Sequence, residues 1–100
     1  MMKAKYLNLV GLAYRARRCS LGEQAIVKDV QQQKAFLVLL AHDTGKATMK
    51  KITDKCSFYE IPCIIVDDRA TLGQALGKDE RVAVAILDKG FADKIQSLLV

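Results

Sequence analysis

Three short stretches carry the residue types that bind ligands, and each reads as a loop or strand end feeding a helix start. They are Ser20–Gln24, inside SLGEQAIVK, then Asp43–Lys46, and finally Asp67–Arg69. A helix start leaves backbone N–H groups unpaired and aims them, with the positive end of the helix dipole, at whatever lies in front. That arrangement suits a phosphate or a base edge. Such loops gather along one rim of an α/β sheet, so Lys28, Lys46 and Arg69 would face a common ligand. Taken alone, these residues imply a polyanion or a small ligand.

Patterns for catalysis fail in turn. LAHDTGKAT has the strand-to-helix context of a P-loop, but Leu40 stands where G-x-x-x-x-G-K-[ST] needs its first glycine, and Ala47 where it needs a hydroxyl. Without them the backbone cannot wrap phosphates and Mg²⁺ loses a ligand. Asp67 and Asp68 are adjacent, so they would point apart, and a turn or helix N-cap accounts for them better. His42 has no nucleophile placed beside it by any pattern. Cys19, Cys56 and Cys63 are odd in number and match no zinc spacing, so we expect reduced, mostly buried thiols. No enzyme activity, metal or cofactor is expected.

The elements that must position the rim are legible as alternating helices and strands. Lys3–Arg18 has helical spacing in Tyr6, Val10, Ala13 and Arg17, and Gly11 inside it implies the close approach of another backbone. Arg15, Arg17 and Arg18 would close its last turn, complementing the helix dipole. Gly22–Gln32 is a second helix, with Ile26, Val27 and Val30 on one side and Gln24, Lys28 and Gln31 on the other. Ser20 and Glu23 satisfy S-x-x-E, a capping box.

Ala35–Ala41 is an unbroken apolar run, read as a strand buried on both faces. A helix over Thr44–Glu60, a strand over Cys63–Val66, a helix over Ala70–Leu76, a strand over Arg81–Leu87 and a helix over Phe91–Leu99 follow. The alternation predicts an α/β/α sandwich, with residues 1–100 as one domain. Sixteen Lys and Arg against eleven Asp and Glu leave a net charge of +5, a mild bias towards a polyanionic partner. No apolar run reaches the ~18 residues of a membrane span, and Met1–Tyr6 lack a signal-peptide block, so a cytoplasmic location is expected.

The order SLGEQAIVK, AFLVLLAHD and EIPCIIVDDRATLGQALG resembles the L-seven-Ae and L-thirty-e superfamily of ribosomal and kink-turn RNA-binding proteins. GLAYRARRCSLGE looks most like its small bacterial branch called YlxQ. The likeness runs from about Leu9 to the C-terminus. It implies a three-layer α/β/α sandwich around a mixed four-stranded sheet, and a structured RNA partner, either a kink-turn or ribosomal RNA. The ribosome is a possible platform under this resemblance; DNA and membrane are not expected partners.

The family's RNA-reading helix start, G-x-N-E-x-x-K-like, falls on Gly22, Gln24, Ala25 and Lys28. Gly22 and Lys28 match; Gln24 replaces asparagine or lysine, and Ala25 replaces glutamate or glutamine. Glu23 belongs to the same helix start. Arg69 matches a basic family position before Leu72–Gly73. The loop Gly77–Arg81, with Lys78 and Arg81, corresponds to a second contact loop, and Thr44 and Gly45 to a third. The alternative expectation is a protein–protein interaction module that kept the fold, suggested by Ala25 and the acids of GKDER.

Overall fold

The computed structural model describes residues 2–99; Met1 and Val100, the outermost residues of the expected domain, lie outside the described residues. The chain order is α1 (Met2–Arg15), β1 (Cys19–Leu21), α2 (Glu23–Gln31), β2 (Leu37–Leu40), α3 (Lys46–Phe58), β3 (Cys63–Ile65), α4 (Arg69–Ala75), β4 (Ala83–Ile86) and α5 (Lys89–Leu99). The strands form one sheet in the order β1-β4-β2-β3. β4 runs antiparallel to both β1 and β2, whereas β2 and β3 are parallel. The sheet is therefore mixed and four-stranded, as the resemblance implied.

Two apolar faces explain why β2 and β4 are apolar throughout. Successive strand residues point to opposite sides. Leu37, Leu39, Val84 and Ile86 enter a core with Tyr6, Val10, Ala13, Leu72, Leu76, Ala92 and Ile95, from α1, α4 and α5 or their ends. Val38, Leu40, Ala83 and Ala85 enter a second core with Ile26, Val30, Ile52 and Cys56 from α2 and α3. Both strands lie in the middle of the sheet and are buried at every position. β3 is an edge, and its Ile65 is exposed. Cys19, Cys56 and Cys63 are free thiols. Cys56 is fully buried and hydrogen-bonded to the Cys63 sulfur, which lowers the Cys63 pKa and raises that of Cys56.

Three expectations need correction. β1 was not expected from the residues: CSL is too short for a periodic signal, and pairing with β4 over Ser20↔Ala85 holds it extended. With Ser20 in a strand, the capping box does not form. Gly22 is the N-cap of α2, no side chain caps it, and the Ser20 hydroxyl is buried without a partner. Of the basic cluster, only Arg15 lies in the last turn of α1. Arg17 takes a left-handed φ of 61°, so the helix ends at Arg15 and Arg17 and Arg18 lie beyond it.

Gly11 behaves as expected: an added Cβ would lie 2.8 Å from the Ala75 carbonyl oxygen, so α1 and α4 meet backbone to backbone there.

Candidate functional site

The rim is the end of the sheet at which β1, β2 and β3 finish and β4 begins. α2, α3 and α4 start there, and their capping differs. Asp68 caps α4, accepting from the Thr71 N–H at 2.7 Å, and that bond foremost holds its carboxyl below the usual aspartate range. The pair Asp67 and Asp68 is thus structural, with Asp67 accepting the Tyr6 hydroxyl proton at 2.7 Å. α2 and α3 begin instead at Gly22 and Gly45 with no side-chain cap. Their first-turn N–H groups therefore lend the rim a positive potential, with the Glu23 carboxylate standing in the first turn of α2.

Gly22 is required by its backbone. Its φ is +89°, a region that side-chain-bearing residues rarely adopt, and among the described residues no atom beyond its chain neighbours lies within 4 Å of where a Cβ would be. A side chain at Gly22 would point away from the rest of the described protein. Gly45, exposed with φ −58°, is equally unobstructed.

Backbone and side-chain bonds lash the loops together. The Arg69 N–H donates to Asp43 Oδ1 at 2.9 Å, and its guanidinium donates to the Asp43 carbonyl and lies 3.5 Å from Asp43 Oδ2. The Arg81 N–H donates to the Arg69 carbonyl at 3.1 Å. Thr44 Oγ1 donates to the Ala41 carbonyl, fixing the approach to α3. Glu23 bridges the starts of α2 and α3: the Thr48 hydroxyl, then Lys51 at 3.2 Å, hold its carboxyl below the usual range.

These ties bring Gly22, Glu23, Arg69 and Arg81 around one cleft of about 240 Å³, floored by Ile52, Val82 and Ala83, with Thr48 and Glu80 on its walls. Gln24, Ala25 and Lys28 do not line it. They are exposed on the outer side of α2, with Lys28 about 9 Å along the helix from Gly22 at 1.5 Å per residue. Gly45 sits at the start of α3 beyond the cleft. Lys78 is not brought to it either; its ammonium lies over the Tyr14 ring, 5.5 Å from the centroid. Sequence reasoning placed Asp43 in a rim loop but not its tie to Arg69, and it missed Thr48. A short acid one residue before a strand-to-helix turn was the available signal for the tie at Asp43.

Chemically, the cleft offers unpaired N–H groups and two guanidiniums to one ligand, with Lys28 exposed farther along α2. Arg69 is already engaged with Asp43, which leaves Arg81, bonded through Nη1 only to the Glu80 carbonyl, as the freer cation.

The chain is 46% identical over 99 residues to RNA-binding protein YlxQ of Bacillus subtilis (strain 168), covering 99% of both chains. A solved structure of a protein with unknown function from Bacillus halodurans C superposes with a TM-score of 0.93 at 47% identity, covering 96% of this chain and 97% of that one. The 15.5kD RNA binding protein of Giardia lamblia shares the fold, with a TM-score of 0.78 at 20% identity and coverage of 97% and 89%. Residues 4–96 match the model of the ribosomal protein L7Ae/L30e/S12e/Gadd45 family, and the chain belongs to that family.

Proposed function

We propose that the chain binds structured RNA in the cytoplasm, as one domain, at a sharply kinked duplex of the kink-turn kind, in ribosomal or other folded RNA. The observation that supports this most is the convergence of Gly22, Arg69 and Arg81 on one cleft at an uncapped helix start. A phosphodiester fits such a place, accepting from the first N–H groups of α2 while Arg81 meets a neighbouring phosphate. Gln24 and Lys28, on the outer side of the same helix, read base edges. The likeness to a relative named for RNA binding supports the same reading. We assign the chain a binding role and no reaction.

A protein-interaction module is the second reading, favoured by Glu80 on the cleft wall and by Ala25, which has no polar group for a base. Titration of a kink-turn RNA and a straight duplex across a salt series separates the two. The wild type should prefer the kinked RNA, Lys28→Ala should weaken that binding roughly tenfold, and Arg81→Gln should flatten the salt dependence. Equal, weak binding of both RNAs by all three proteins would favour the protein module instead. Arg69→Ala is a poorer probe, because it also releases Asp43.

A further inference from the structure

The end of α1 presents a second cationic surface that helix capping does not explain. The Leu12, Ala13 and Tyr14 carbonyls already accept the backbone N–H groups of Ala16, Arg18 and Arg17, each at 2.9 Å. The helix is thereby closed by its own backbone, and no guanidinium is needed for the task. Arg17 pays a conformational penalty as well, since φ 61° is a position that glycine occupies more easily. Arg15, Arg17 and Arg18 are all exposed, and among the described residues none has an acidic partner.

Of the acids near this surface, those at the start of α5 are occupied, while Asp79 and Glu80 lie exposed next to Lys78. The Leu87 N–H donates to the Arg18 carbonyl, placing the start of α5 nearby, where Asp88 accepts from the Phe91 N–H and Asp93 pairs with Lys89 at 2.8 Å. A fourth cation adds to the three: Lys78 rests over Tyr14, the residue next to Arg15. A cation over an aromatic face keeps its charge and remains able to meet an anion.

We infer that Arg15, Arg17, Arg18 and Lys78 form a second phosphate-binding surface, which grips the duplex stem leading away from the RNA held at the rim. The spacing supports this. Arg18 and Gly22 are separated by β1, so the arginines stand about 13 Å from the helix start at 3.3 Å per residue. Taking B-form DNA as the yardstick, with one charge per 1.7 Å of axis, that distance spans about eight phosphates. Guanidiniums bind phosphate through paired N–H donors, so such a surface needs no base sequence. The inference rests on the RNA reading given above but concerns residues outside that site.

The test uses kinked RNAs with a short or a long flanking stem, and a straight duplex, each titrated against salt. Wild type should bind the long-stem RNA about threefold to tenfold more tightly than the short one. Arg15→Gln/Arg17→Gln/Arg18→Gln should lose that gain and reduce the salt slope by about 2 to 3, while its short-stem affinity stays unchanged. Arg17→Gly separates binding from folding: it should raise Tm and still weaken long-stem binding. A triple variant that keeps both the gain and the slope overturns the inference. Should wild type fail to distinguish kinked from straight RNA, the rim reading falls, and the arginines are still judged by the slope on the straight duplex. A wild type that binds none of the RNAs sinks both.

Discussion

Asp43 and Arg69 show how single residues build the rim. One carboxylate takes the Arg69 N–H and stands against its guanidinium, so the loop before α3 is tied to the start of α4. Gly73 does comparable work for the Gly77–Arg81 loop. A Cβ there would lie 1.5 Å from the Asp79 carbonyl oxygen and 3.0 Å from the Arg81 nitrogen. Gly73→Ala should therefore cost about 1–3 kcal/mol in denaturant unfolding, and lift Arg81 away from the cleft. At Ala25, exposed and beside the uncapped helix start, Ala25→Glu should tighten kink-turn binding; unchanged affinity would mean that RNA approaches α2 from another side. Titration adds a residue-level check. Burial pushes the Cys19 thiol up to about 12, and burial, then the bond to Asp67, raises Tyr6 well above its ordinary value. Both groups favour the neutral form in the fold, so their contribution is present below pH 9 and is lost as pH rises towards 12. Tm should fall over that window, and Cys19→Ala should make the fall shallower. Some of these roles were legible beforehand: Asp68 as a cap, Gly11 as a contact. Ser20 and Glu23 were misread because S-x-x-E is a local pattern, while pairing with β4 is not local.

At the scale of elements, four helices end in the same way, α4 at Gly77 with φ 70° and the other three without a glycine. Arg17, Gln33 and Glu60 follow α1, α2 and α3 with φ of 61°, 58° and 58°. In each case the next residue's N–H reaches back five residues, as Arg18 to Ala13, Lys34 to Asp29 and Ile61 to Cys56. This is the Schellman closure, which favours glycine. Gln33→Gly and Glu60→Gly should each stabilise the fold by roughly 0.5–1 kcal/mol, read as a rise in Tm. A loss of stability in either would show that the side chain, and not the backbone, closes that helix. These endings also explain why helix limits were harder to read than helices. Apolar spacing in Tyr6, Val10 and Ala13 marks the buried side of α1, but a left-handed arginine leaves no apolar signature. Likewise, the run AFLVLLA betrayed β2 because both of its faces are covered. CSL gave no comparable signal, being three residues long at an edge.

Across the whole molecule, within a net charge of +5, cationic clusters stand at two ends of one sheet. Rim and α1 terminus stand on opposite ends of β1, so a bound polyanion would meet helix N–H groups and Arg81 first and the arginines along its stem. The alternation of helices and strands made the layered sandwich legible. Strand order was not, since β4 inserts between β1 and β2 through contacts distant in sequence. Nor could spacing show that Lys78 turns to Tyr14 while Arg81 stays at the cleft. The central claim is that RNA meets the uncapped start of α2, and amide chemical shifts test it most directly. Titrating a short-stem kink-turn RNA into isotope-labelled protein should move the Glu23, Gln24, Ala25 and Arg81 amide signals and leave Ile64 and Ile65, on the far edge strand, in place. Shifts confined to residues away from the rim, or none at saturating RNA, would contradict the account.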